Sequence, residues 1–319
     1  MGDFVHLHVH SEYSLLDGAN RIKELPKVAK ELGMDAISIT DHGVMYGAIE
    51  FYKACKDEGI KPIIGCEVYV APRTRFDKEA GIDNKYNHLI LLAKNNEGYK
   101  NLSKMVSIGF TEGYYYKPRI DLDTLEKYHD GLICCSACLA GSLPQAILDG
   151  NMEKAEEIAL WHKNLFGEDY YLEIQDHGIN EQKLTNPQII RIAKETDIPL
   201  VATNDVHYTN ADDYKTHKVL LCVQTGGKIT EELAMEFKTN EFYLKSAEEM
   251  AELFGNVPEA LANTQKIAEK CNLEFEFGKI KLPHFDIGER DHSQYFKEKC
   301  YEGLYEKYGY YLAFLHNML

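Results

Sequence analysis

Phe4-Val5-His6-Leu7-His8-Val9-His10-Ser11 alternates apolar side chains with imidazoles. A period of two is that of a β-strand, so Val5, Leu7 and Val9 fall on one face and His6, His8 and His10 on the other. One histidine in such a place is ordinarily a core residue satisfied by a hydrogen bond. Three in register change that reading, because two imidazoles at this spacing can grip one transition-metal ion without straining the backbone. Ser11, Tyr13 and Asp17 follow directly.

Outward from this segment, short β-branched or apolar runs alternate with helical patterns. The runs Asp3–Val9, Asp35–Thr40, Lys61–Val70, His88–Ala93, Gly131–Ser136, Tyr170–Gln175 and Pro199–Thr203 predict seven strands. Arg21–Leu32, Tyr46–Asp57, Glu97–Ile108, Met152–Phe166 and Gln182–Thr196 each carry a 3.6-residue apolar period, and they stop near Gly33, Gly59, Gly109, Gly167 and Asp197. This alternation over residues 1–210 predicts a parallel α/β barrel, with an open doubly wound sheet as the alternative. From 211 to 280 the pattern is helical (Ala211–Val223, Ser246–Leu253, Pro258–Cys271), an annex to the barrel. Residues 281–319 read as a linker around Leu282-Pro283-His284-Phe285-Asp286, a helix Ser293–Tyr308, and an apolar tail Tyr310–Leu319 with the look of an interrupted sequence.

Composition narrows the function. With 45% hydrophobic residues in 319, the chain can bury a real core. No apolar run approaches the roughly 20 residues a membrane helix needs, and the start, Met1-Gly2-Asp3-Phe4, has no export signal, so a cytoplasmic location is expected. The eight cysteines then read as reduced thiols. The net charge of −16 opposes simple electrostatic capture of DNA or acidic lipid. A polyanionic substrate would have to be met by bound cations.

The strand ends supply further metal donors. The second ends Thr40-Asp41-His42, the third carries Glu67 inside an apolar run, His88 opens the fourth, Cys138 follows the fifth, and the seventh ends Asn204-Asp205-Val206-His207. A buried Glu67 needs a cation or another partner. His8, His10, Asp17, His42, Glu67, His88, Cys138, Asp205 and His207 are thus nine candidate ligands, enough for two or three ions at three to four each. Mixed imidazole, carboxylate and thiolate donors suit Zn²⁺ or Mn²⁺ better than Mg²⁺. In a strictly parallel barrel His88 would face the wrong mouth, so either its strand is reversed or the preceding loop carries it. Glu173, Gln175 and His177 end the sixth strand near the same mouth, as outer-shell or phosphate-contacting candidates. Tyr114-Tyr115-Tyr116-Lys117-Pro118-Arg119 combines aromatics and bases as a single-strand clamp would, with Tyr116, Lys117 and Arg119 the candidate DNA contacts. Packing of a tyrosine-rich loop is the competing explanation.

These motifs resemble the polymerase-and-histidinol-phosphatase (PHP) family of metal-dependent phosphoesterases. The runs Phe4 to Ser14, Asn204 to Tyr208, Glu241-Phe242-Tyr243-Leu244-Lys245 and Leu282-Pro283-His284-Phe285 are more narrowly similar to the branch that opens bacterial DNA polymerase III α subunits. The resemblance implies a distorted seven-stranded βα (TIM-like) barrel with divalent ions at one mouth. One ion would sit on His8, His10, Glu67 and Asp205, a second on Glu67, His88 and Cys138, and a third on Asp17, His42 and His207. Stand-alone phosphatases of the family usually have histidine at the positions of Asp17 and Cys138, so the acid and the thiol favour the polymerase branch. The implied activity is 3′–5′ exonucleolytic proofreading by a metal-activated water, with the primer 3′ end and other polymerase subunits as partners. The polymerase palm carboxylates would lie beyond the chain, which is therefore not expected to extend a primer. The rival expectations are a phosphatase of small phosphomonoesters and a metal-stabilised scaffold without catalysis.

Overall fold

Strands buried on both faces need a filled interior and an outer layer, and the chain supplies both. The structure is a computed structural model that describes residues 4–15, 17–229, 237–280, 282–283 and 285–309. Its strands are β1 (Ala36–Ile39), β2 (Lys61–Val70), β3 (Asn87–Ala93), β4 (Tyr114–Tyr115), β5 (Lys117–Ile120), β6 (Leu132–Cys135), β7 (Tyr170–Ile174) and β8 (Leu200–Ala202). β1 runs parallel to β2, β6 to β7 and β7 to β8.

The first predicted strand, Asp3–Val9, is instead an extended segment with a single bridge, Val9 to Val206; Asp3 lies outside the described residues. It still closes the curled sheet. Ser38 and Thr40 donate to the His6 and Val9 carbonyls at 3.0 and 2.8 Å, while His10 donates to the Val206 carbonyl at 2.8 Å. Hydrogen bonds shared between two diverging neighbours do not add up to a continuous ladder.

The all-parallel expectation fails at β3, which is antiparallel to both β2 and β6. Residues 71–86 between β2 and β3 contain no helix. A parallel return requires a crossover of a dozen or more residues, usually helical, so this connection reverses the chain. β4 and β5 form an antiparallel hairpin where a loop was expected, and β5 pairs with the end of β2.

The helices are α1 (Leu25–Glu31), α2 (Ala48–Glu58), α3 (Asn96–Thr111), α4 (Leu122–Tyr128), α5 (Ser142–Leu148), α6 (Met152–Phe166), α7 (Asn180–Thr196), α8 (Tyr214–Thr225), α9 (Ala247–Phe254), α10 (Pro258–Lys270) and α11 (His292–Tyr308). α3 runs through Gly109 rather than stopping there, and the missing side chain admits Pro118 of β5; a Cβ would lie 3.2 Å from its backbone. α4 and α5 were too short to stand out by periodicity, although Asp121 caps α4 by accepting from the Thr124 amide.

α10 plugs the barrel floor. Ile267, Ala268 and Cys271 join the interior side chains Val5, Leu7, Ile63, Ile90 and Val201 in one apolar cluster. Val5 donates to Thr264 Oγ1, and Asn263 donates to the Leu200 carbonyl. The chain divides into two compact units, Met1–Phe275 and Glu276–Leu319. The second contains α11, which has no buried residue. The tail Tyr310–Leu319 lies outside the described residues.

His162 of α6 is a core histidine. Its Nδ1–H donates to the Ile158 carbonyl at 2.9 Å and its ring stacks on Tyr170. Burial lowers its pKa from 6.5 to about 4. Because the folded value lies below the unfolded one, the stabilisation is whole above pH 6.5 and is lost as pH falls toward 4, by about 3 kcal/mol in all. Urea unfolding at pH 7 and 4.5 should show a smaller acid loss in His162→Gln than in the parent.

Candidate metal centre

The N-terminal segment delivers His8 and His10 to the barrel mouth, where every other candidate ligand meets them. Glu67, fully buried on β2, is the hub. Its Oε1 lies 3.3 Å from His8 Nε2, 2.8 Å from His88 Nδ1 and 3.7 Å from Cys138 Sγ. Its Oε2 lies 2.5 Å from His42 Nδ1 and 3.7 Å from His10 Nε2. Asp205 Oδ1 lies 3.1 and 3.2 Å from the Nε2 atoms of His8 and His10. Asp17 Oδ2 is 3.1 Å from His42 Nε2, and the rings of His10 and His207 stack at 4.4 Å.

His88 is in the cluster because β3 is reversed: the start of an antiparallel strand lies at the mouth where parallel strands end. His6 keeps the alternation but is not brought in. Its Nε2–H donates to the Lys245 carbonyl at 2.8 Å.

Neighbouring groups fix the imidazole tautomers. His8 Nδ1–H donates to Glu173 Oε1 at 2.7 Å, which also accepts from Gln175 and Thr203. Ser14 Oγ–H donates to Asp41, so its oxygen accepts from His10 Nδ1 at 3.0 Å. His207 Nδ1–H donates to the Asp205 carbonyl at 2.8 Å. In all three the neighbour accepts from Nδ1–H, so that the neutral imidazole turns its Nε2 lone pair to the cluster, as a metal ligand requires. Ser14 and Asp41 were not foreseen in this role; the four-residue spacing of Ser14 from His10 was the available signal. The loop bearing Asp17 closes because Gly18 lies against Ser11, whose carbonyl oxygen would be 2.0 Å from any Cβ.

Three sets of ligand atoms lie mutually within 4.8 Å: His8, His10 and Glu67; His42, Glu67 and His88; His10, His42 and His207. The first two match two of the expected ion sets in part. The third brings His10, rather than Asp17, to His42 and His207. Asp17 Oδ1 is buried without a hydrogen-bond partner, while His42 Nδ1, Glu67 Oε2 and Asp205 Oδ1 make no aligned hydrogen bond: the first two face one another and Asp205 Oδ1 faces the His8 and His10 Nε2 atoms at ion-pair distance. Such orphans are rare in a native interior unless an ion or water meets them.

The charges agree with a cation. Burial resists ionisation of His42, yet Asp17 and Glu67 outweigh it and raise the imidazole to about 10. Burial likewise opposes charge on His8, and Asp205 and Glu173 raise it nonetheless. His10 and His207 are lowered to about 4, by burial and then by neighbouring imidazoles. Burial favours protonation of Glu67, but His88 and His42 hold it well below the usual carboxylate range. Burial and the Glu67 carboxylate push the Cys138 thiol up. The donor set and its orphaned lone pairs therefore fit divalent ions.

Two cavities of about 540 Å³ each flank the cluster. One, beside Cys138 and Asp205, is walled by Leu139, Leu148, Ile179 and Phe242; the other, beside His88, is lined by Arg73, Lys154 and Trp161.

The predicted DNA contacts divide. Tyr116 is exposed at the hairpin tip, and the Lys117 ammonium sits 5.4 Å over the Tyr69 ring, which stacks on His42. Arg119 is corrected: it is fully buried, with four of its five N–H groups donated to the carbonyls of Gly113, Asp83, Arg75 and Asp77, and presents no face to a phosphate. His177 faces no phosphate either, since Nε2–H donates to the Asn204 carbonyl and Nδ1 accepts from Gln182.

Residues 6–177, more than half of the chain, match the PHP domain model. The chain belongs to the PHP domain family. The PHP match includes His8 to Glu173, while Asp205 and His207 lie outside it. The chain is 48% identical over 309 residues to DNA polymerase III subunit alpha of Borreliella burgdorferi, covering 96% of this chain and 27% of that one. Against the subunit of the same name from Treponema pallidum it is 48% identical over 310 residues, covering 96% and 26%. This PHP chain thus spans about a quarter of the length of those relatives. Among solved structures it is similar to an amidohydrolase from Chromobacterium violaceum (TM-score 0.41, 14% identity, 64% of this chain and 87% of that one). A two-domain protein from Bacteroides vulgatus, described as containing a PHP-like phosphoesterase, gives a TM-score of 0.38 at 17% identity, covering 82% and 62%.

Proposed function

We propose that the chain is the PHP region of a DNA polymerase III α subunit and hydrolyses phosphodiesters at the 3′ end of DNA as a metal-dependent 3′–5′ exonuclease. The observation that carries this is the convergence of His8, His10, His42, His88, Cys138 and His207 on Glu67 and Asp205, with Asp17 joined through His42, in a chain of net charge −16. His8, His10, Glu67 and Asp205 would hold one divalent ion, Glu67, His88 and Cys138 a second, and Asp17, His42 and His207 a third. Zn²⁺ or Mn²⁺ suits these donors. When bound, such ions neutralise phosphate oxygens and polarise water for in-line attack.

The chain's own residues do the rest. Glu173, Ser14 and the Asp205 carbonyl hold three imidazoles in the ligating tautomer. The largely apolar cavity beside Cys138 and Asp205 has room for a terminal nucleoside. Lys117 and Tyr116, at the His42 side, offer a cation and a stacking face to the strand that follows. DNA and the other polymerase subunits are the proposed partners, in the cytoplasm. Among the described residues no helix is long and apolar enough to cross a membrane.

The test uses a 3′-mismatched primer–template, with p-nitrophenyl phosphate in parallel. With Mn²⁺ or Zn²⁺ restored after chelation, the chain should shorten the primer from its 3′ end, and Asp205→Asn should abolish this. Turnover of the small ester alone would favour the phosphatase, and bound metal without any hydrolysis the scaffold.

A further inference from the structure

Asp205 has a left-handed backbone, φ +44°, which residues with a side chain rarely adopt. The surroundings hold both of its peptides. On one side the Asn204 carbonyl accepts from His177 Nε2–H at 2.9 Å. His177 is itself gripped twice by Gln182, whose Oε1 accepts from the His177 amide and whose Nε2 donates to Nδ1, both at 2.8 Å. That second bond forces the ring proton onto Nε2, where the Asn204 carbonyl needs it. On the other side the Asp205 carbonyl accepts from His207 Nδ1–H. The Asn204 side chain straps the turn to the chain beyond α8: Nδ2 donates to the Glu241 and Tyr243 carbonyls at 2.9 and 2.8 Å. Asn204, His177 and Gln182 are all buried.

Strain of this kind persists only where the surroundings over-determine it, and it concentrates at functional positions. Here it sets Asp205 Oδ1 close to His8 and His10 Nε2. We propose that Asn204, backed by His177 and Gln182, is a positioning residue that holds Asp205 in its left-handed conformation so that the carboxylate meets the His8–His10 pair. The proposal rests on the metal reading of Asp205. Without the strap the backbone relaxes toward the common regions and swings the carboxylate out of the cluster. The outer shell of a metal site typically governs affinity by about 10–100-fold.

The test is a double-variant cycle read in metal affinity. The chelated chain is titrated calorimetrically with Mn²⁺ as the parent, Asn204→Ala, Asp205→Asn and the double variant, with far-UV circular dichroism confirming the fold. Asn204→Ala should weaken binding about 10-fold or more, and the double variant should bind no more weakly than Asp205→Asn alone. Parent-like affinity in Asn204→Ala, or losses that add in full, would overturn the positioning role. An Asp205→Asn that binds Mn²⁺ as the parent does would overturn the metal reading beneath it. Should Asn204→Ala not fold, His177→Phe serves in its place, because it keeps the stack on Phe242 while removing the donor to the Asn204 carbonyl and, with it, the Nδ1 acceptor of Gln182.

Discussion

Glu67→Gln is expected to strip the mouth of most of its metal and to lower metal-dependent hydrolysis by well over the 100-fold that bounds outer-shell changes. The substitution keeps volume and removes only charge and one acceptor oxygen. Glu67 belongs to two of the three compact ligand sets, so its loss disables both. In the metal-free chain it also faces His8, His42 and His88 from a fully buried position. Removing one partner of a buried ionic group costs about 3–5 kcal/mol, and because the imidazoles can shed protons the low end applies. Metal analysis after dialysis and urea unfolding without metal read the two effects separately. Unchanged metal content would remove Glu67 from the hub.

Arg119→Met is expected to be among the most destabilising single changes, through folding rather than through DNA. It leaves the Gly113, Asp83, Arg75 and Asp77 carbonyls without their donor, and an unsatisfied buried group costs about 1–3 kcal/mol. Those carbonyls pin residues 71–87 to the β4–β5 hairpin, so proteolysis should begin in that loop. Tyr116→Ala, at the exposed tip, should leave stability within about 0.5 kcal/mol. If Arg119→Met folds like the parent and only weakens DNA binding, the burial account is wrong.

The contrast between these residues shows what the sequence could carry. The cluster of candidate ligands was legible because its chemistry is local: imidazoles, acids and a thiol at strand ends have few other uses in such density. Six of the seven expected strands were legible for the same reason, since each states its own period; the segment before Ser11 makes only one bridge, and the β4–β5 hairpin was not foreseen. Direction was not. That β3 runs backwards follows from a helix missing between residues 71 and 86, a negative signal that alternation elsewhere masked. Arg119 was misread because a basic residue between tyrosines looks alike on a surface and inside a carbonyl cage. Only the tertiary placement of the preceding loop separates the two. Asn204 left no signal, since a polar side chain bound to distant carbonyls has no local pattern, and the five-residue spacing of Gln182 from the His177 it grips gives none either.

The most direct test of the account is the number of ions the mouth holds. The chelated chain, equilibrated with Mn²⁺ or Zn²⁺ and freed of excess, should retain two or three ions per chain by elemental analysis, at ordinary ratios of three to four ligands per ion with carboxylate sharing. A folded chain that retains none would contradict it.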